Sequence, residues 1–137
     1  MRVTELVALL RRFRMDVVST VSAAGQPQAA IVGVAVGDAL ELVFDTLTTT
    51  RKYANLVHEP RVAVVMGEGE LTIQIDGRAD VPSGAELARV QDIYFATWPD
   101  GRDRAGWANI TWVRIRPTWI RVSDFAATPP SIREHAL

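Results

Sequence analysis

Three hydroxyls and two cations stand side by side at Thr48-Thr49-Thr50-Arg51-Lys52. The run follows a strand predicted over Leu40–Thr46 and opens a helix predicted to end near His58. Cations at a helix start oppose the helix dipole, at roughly 0.3–1 kcal/mol each. A bound anion removes that conflict. Free backbone N–H groups, hydroxyls, a guanidinium fork and an ammonium together suit a phosphate. From spacing alone two readings stay open: a phosphate seat, or a threonine-capped helix start with two solvated cations.

Side-chain catalysis has little to work with. Cysteine is absent, which removes disulfides, thiolate catalysis and cysteine metal sites. Of the two histidines, His58 reads as a helix-end residue favoured by the dipole, and His135 falls in a tail. The chain has no paired metal-binding histidine motif, no Gly-x-Ser-x-Gly elbow and no Walker loop. Its carboxylates are scattered through turns. Any enzyme built this way would draw its reactivity from a cofactor.

The elements that must position the run are mostly strands. Residues 4–14 read as an amphipathic helix with Thr4 as N-cap and Arg11, Arg12 and Arg14 at its C-terminal end. Residues 16–23, 28–36 and 39–46 read as consecutive antiparallel strands, with turns at Ala24–Pro27 and Gly37-Asp38. Pro60 stops the helix that follows the run. Residues 61–66 and 71–81 are strand-like, with Leu71, Ile73 and Ile75 on one face. Ser83 and Glu86 suggest a capping box for a helix ending at Trp98–Gly101. A charged loop follows, its Arg102 and Arg104 read as solvated. Strands are expected at 108–116 and 118–124, parted at Pro117, then a tail over 125–137 without a clear period. This is one domain of 137 residues: a mainly β barrel or sandwich of six or seven strands with helical additions.

Bulk properties limit the partners. A formal net charge of −1 gives no field for nucleic acid or an anionic membrane. No apolar run approaches the ~20 residues of a membrane helix. The absence of cysteine fits a cytoplasmic protein.

Phe44-Asp45-Thr46 through Thr50-Arg51-Lys52, then Asn55-Leu56, then Pro60-Arg61-Val62, resembles the flavin signature of the pyridoxamine 5′-phosphate oxidase-like split-barrel family. Asp76-Gly77-Arg78-Ala79 and Val113–Arg121 are similar to further strands of that family. The resemblance covers roughly residues 5–124. It implies an antiparallel Greek-key split barrel over 16–124, and a homodimer with flavin mononucleotide (FMN) in clefts at the subunit interface. It implies an oxidoreductase fed by a reduced nicotinamide. Arg51 and Lys52 correspond to the phosphate-binding pair, with Asp45, Thr46 and Thr50 beside it. Ala30, Ile31, Val32 and Gly33 fall on the strand along the flavin ring, where Ala29, Ala30 and Gly33 lack bulk and would let a flat ring approach. Tightly packed barrel interior is the other use of such small residues.

The sequence also departs from the family. Ala30 stands where the phosphate oxidases carry an arginine. Thr72 stands at their flavin-side glutamine, with Gln74 two residues on. Glu59 replaces an asparagine, and their C-terminal arginine–histidine substrate motif has no counterpart. A pyridoxamine phosphate oxidase proper is therefore not implied. Among Trp98, Trp107, Trp112 and Trp119, Trp107 is the candidate for flavin contact and the others for packing. Three rival readings keep the barrel: a deazaflavin-dependent reductase, a flavin-storing protein without turnover, and an interaction module without cofactor.

Overall fold

The computed structural model describes residues 1–137. Helix α1 (Val3–Leu10) leads into β1 (Met15–Val21), β2 (Pro27–Gly33), β3 (Ala35–Val36) and β4 (Leu42–Leu47). Helix α2 (Arg51–His58), β5 (Arg61–Glu68), β6 (Leu71–Asp80), α3 (Gly84–Thr97) and α4 (Gly101–Arg104) follow. The chain ends with β7 (Ile110–Asp124) and β8 (Ser131–Ala136). One antiparallel sheet runs β2-β1-β5-β6-β7-β4-β3, and β8 pairs with β7.

The two ends of that path, β2 and β3, are consecutive in the chain and parted by Val34 alone. The sheet must therefore curl until its ends meet, which makes a half-barrel. The 28–36 strand expected from sequence is thus two strands with a bend between them. At the bend Val34 N–H donates to Arg14 O (2.8 Å), and Val34 O accepts the Trp98 indole N–H (3.1 Å). A side chain at Gly33 would meet the Trp98 ring at 2.9 Å, so the glycine admits the indole. The space at Gly33 is taken by tryptophan, not left for a ligand.

Strand alternation sets the two faces. Val18, Phe44, Val62, Val64, Ile73, Ile75, Val113 and Ile115 point inward to one core, and Leu6, Val7 and Leu10 of α1 close it. The α1 residues fall at a helical spacing, as the sequence suggests. Its N-cap, however, is Arg2 and not Thr4, and it ends at Leu10, so Arg12 and Arg14 lie beyond it. On the other face of β4 and β7, Val43 and Trp112 pack against Val90 and Tyr94 of α3. Ser83 is the α3 N-cap residue but makes no side-chain cap bond. Glu86 turns instead to Arg114 (2.6 Å), which Asp80 also grips (2.5 Å), joining α3 to β6 and β7.

Residues 110–124 form one strand where two were expected. Thr118 is the extra residue: Asp76 pairs with Trp119 and Gly77 with Pro117. A bulge lets proline sit in the strand without breaking it. The expected tail contains β8, which lies alongside 119–124 of β7. No helix is long and apolar enough to cross a membrane.

Asp16 is 2% exposed, points inward beside Val18 and Thr20, and has no partner for either carboxylate oxygen. Burial pushes its pKa up from 3.8 to about 7. A raised carboxyl pKa is stabilising only while the group is protonated. Between those two values the unfolded chain releases this proton and the native one keeps it, so stability falls as pH rises. Urea unfolding of wild type should lose roughly 2–3 kcal/mol more than Asp16→Asn between pH 5 and pH 8. Parallel pH profiles for the two proteins would remove the burial argument.

Candidate functional site

The β4–α2 turn is built by threonines. Thr50 is the α2 N-cap, with extended backbone (φ −82°, ψ 156°), and its Oγ1 accepts from Tyr53 N–H. The same hydroxyl donates to Leu47 O at 2.9 Å and lies 3.1 Å from Thr46 Oγ1. A hydroxyl has one hydrogen, so Thr46 is the donor in the threonine pair. Thr50 is thereby saturated. What the turn still offers to a ligand is the Thr49 hydroxyl, the Arg51 and Lys52 side chains, and the N–H groups at the helix start.

These groups line a pocket of about 380 Å³ whose other wall is Val18, Thr20, Gln28, Ala29 and Ala30 of β1 and β2. Arg51 is exposed and Lys52 half-buried. Burial lowers the Lys52 pKa, against the pull of Asp45. No carboxylate lines the pocket and neither cation has an ion pair, so the charge conflict at the helix start is relieved only by Asp45 acting from outside the pocket. An anion is the complement this arrangement fits.

Two residues that sequence reasoning did not single out, Thr20 and Gln28, fix the pocket wall together with Asn55 of the signature. Buried Asn55 on α2 donates one amide hydrogen to Thr20 Oγ1 (3.0 Å) and the other to Gln28 Oε1 (2.9 Å). This network ties α2 to β1 and β2, and hence Arg51 and Lys52 to the strand opposite. The only sequence signal for it is the polar Asn55 within a short helix otherwise buried through Leu56.

The remaining expected site residues scatter. Ala30, Thr50, Arg51 and Lys52 share the pocket, with Thr46 just beneath. Ile31 is 67% exposed on the outer face of β2, beyond that wall. Val32 is buried in the core and Gly33 lies under Trp98, so neither side-chain position is open to a ligand. Asp45 faces away from Thr46: it accepts from Tyr94 OH (3.1 Å) and Arg104 Nε (2.9 Å). That pairing engages the Asp45 carboxylate away from the pocket and corrects the reading of Arg104 as solvated. It also suits Tyr94, whose pKa is pushed up to about 12 chiefly by burial. Arg102–Arg104, expected as loop, lies in the short α4. Thr72 and Gln74 lie on β6, separated from β2 by β1 and β5, and neither lines the pocket. Trp107 is 55% exposed after α4 and does not line it either. Trp112 is buried, and Trp98 closes the barrel seam.

A curled antiparallel half-barrel with this turn and helix defines the split-barrel class. The family model for pyridoxamine 5′-phosphate oxidase matches residues 3–124, and the chain belongs to that family. A pyridoxine/pyridoxamine 5′-phosphate oxidase of Burkholderia mallei is 33% identical over 93 residues, 66% of this chain and 42% of the relative. The chain thus matches less than half the length of that relative. Three solved structures share the fold. A heme binding protein from Mycobacterium smegmatis superposes with TM-score 0.84 at 16% identity, over 98% of this chain and 57% of its own. A pyridoxamine 5′-phosphate oxidase-related, FMN binding protein from Nostoc punctiforme gives 0.69 at 14%, over 98% and 92%. The heme storage protein HutZ from Vibrio cholerae gives 0.71 at 18%, over 85% and 91%.

Replacing Asn55 by alanine leaves Gln28 and Thr20 short of a donor and should cost about 1–3 kcal/mol. Urea unfolding measures it; a loss below about 0.5 kcal/mol would show that water takes over the role of the amide.

Proposed function

We propose that this chain binds FMN, with the phosphate held at the start of α2 and the ring beside β2, and that it is a flavin-dependent oxidoreductase. The observation that carries the reading is the pocket where Thr49, Arg51 and Lys52 face Gln28 and Ala30 with no carboxylate among them. Arg51 supplies a fork, Lys52 a point charge, and the helix start its N–H groups. Ala30, small and half-buried, leaves the wall low. Bound flavin would supply the redox chemistry, and a reduced nicotinamide is the proposed donor. This chain's residues bind and orient: none of them is required as nucleophile.

A homodimer is part of the proposal. Met15 (57% exposed), Ile31 (67%) and Val65 (42%) share the outer face of β2, β1 and β5 with Val17. An apolar sheet face of that kind suits a second copy. Such a copy could bring Thr72, Gln74 or Trp107 to the cofactor, which a single chain does not.

Two of the fold's relatives are described by heme. The pocket argues for phosphate instead, since neither histidine lines it: His58 is exposed at the far end of α2 and His135 lies on β8. A deazaflavin on the same seat remains a rival for the titration to decide.

FMN should bind and its visible absorption should shift. The Arg51→Ala/Lys52→Ala double variant should weaken FMN by roughly 100-fold while barely changing riboflavin, since two charge-assisted contacts to the phosphate are lost. Equal losses for both ligands would sink the phosphate assignment. Anaerobic mixing with reduced nicotinamide then separates an enzyme, whose flavin bleaches, from a flavin store, whose flavin does not.

A further inference from the structure

Three arginines stand abreast on the outer face of the sheet. Arg61 on β5 is directly opposite Arg78 on β6, and Arg78 is directly opposite Arg116 on β7. All three are exposed. Like charges in directly opposed positions destabilise a sheet unless something neutralises them.

Counter-charges within the chain neutralise the ends of this row better than its centre. Arg61 is paired with Glu59 (2.5 Å). Arg116 has a long contact to Asp80 (3.6 Å), whose carboxylate is held closely by Arg114 (2.5 Å). Arg78 forms no ion pair. Its neighbours along β6, Asp76 and Asp80, do not reach it: Asp80 is turned to β7, and Asp76 pairs with nothing.

Beside the row lies a trough of about 630 Å³. Arg61 and Arg78 line it together with the carboxylates Glu59 and Asp76, Arg116 stands outside it next to Arg78, and Ser19, Ala63, Gly77 and Thr118 leave it open with small side chains. Gly77 cannot be larger, because a Cβ there would meet Ile115 at 2.7 Å and Arg116 O at 2.9 Å. The volume is that of a small-molecule site. Two strand spacings, about 10 Å, separate the outer arginines. This matches one compact polyanion. The net charge of −1 provides no extended basic surface for a polymer.

We propose that Arg61, Arg78 and Arg116 form a second oxyanion site, separate from the α2 seat, that takes the phosphate or carboxylate groups of a small-molecule ligand. Arg78 is its centre, and the guanidinium forks match either oxyanion. Glu59 and Asp76 in the trough's lining oppose binding; Glu59 is already engaged by Arg61, so the unpaired Asp76 sets its strength. The proposal does not use the FMN reading.

Inorganic pyrophosphate and citrate are the probes, each titrated into the full-length chain while the arginine Nε–Hε NMR signals are followed. The signals of Arg61, Arg78 and Arg116 should move together at millimolar anion or below. Arg78→Gln should weaken that response at least about tenfold and leave the Arg51 signal's response unchanged. Asp76→Asn should strengthen it. The Arg51→Ala/Lys52→Ala variant, which abolishes the helix-start seat, should retain it. A response to pyrophosphate alone assigns a phosphate-bearing ligand, and one to citrate alone a carboxylate. Still signals for the row with both probes, or a response lost with Arg51 and Lys52 and kept in Arg78→Gln, would overturn the second site. Because the FMN titration reads a different pocket, its failure leaves this result interpretable, and the reverse holds too.

Discussion

The indole of Trp98 closes the barrel. Its N–H donates to Val34 O, its ring fills the space above Gly33, and the Arg14 guanidinium stacks on its other side at 4.4 Å from the ring centre. Arg14 also donates to Thr97 O, so the loop before β1 and the end of α3 are fastened at the same point. A sheet with free ends would leave β2 flat and far from α2. Closure at Val34 bends β2 toward the β4–α2 turn, and only then does a pocket exist between Ala30 and Lys52. The pocket beside the helix start thus depends on a hydrophobic and hydrogen-bonded seam at the opposite end of β2.

Charge does a different job on each face. Inside, Asp16 stands alone, and burial favours its neutral form. Between sheet and α3, Arg114 is 4% exposed and shared among Asp80, Glu86 and Glu41. A buried cation so surrounded contributes less to net stability than to fixing one packing of α3 on the sheet. Asp45, Tyr94, Arg104 and Asp100 do the same for α4. These groups are satisfied by one another. Arg51 and Lys52 have no ion pair within the chain, and that difference sets them apart from the charged residues of the scaffold.

The turn before α2 was legible because it is local. Thr50, Arg51, Lys52 and the Pro60 stop lie within eleven residues, and capping chemistry depends on nothing further away. The barrel was legible from alternation in 71–75 and from the family resemblance. The pairing of Asp45 was not legible because its partners, Tyr94 and Arg104, are 49 and 59 residues away. Gly33 was left open between two uses for a related reason: smallness shows in a sequence, but what fills the space does not. β8 carries no apolar period, since Ile132, Arg133 and Glu134 are all exposed and the strand is held by pairing to β7 rather than by burying a face. Pro117 looked like a break because the bulge that accommodates it needs the partner strand to define it.

β8 also changes what the molecule shows to other chains. The family match stops at residue 124, where β7 ends, and β8 lies beyond it. Without it, the backbone of 119–124 would be an unpaired edge next to Ile120 and Val122, a template for pairing with any passing strand. β8 occupies that edge and substitutes its own, six residues long, bearing Arg133, Glu134 and His135. Glu134 is in turn bonded to Arg121 across the pair. β8 thus covers an edge that would otherwise be open to pairing in the wrong register.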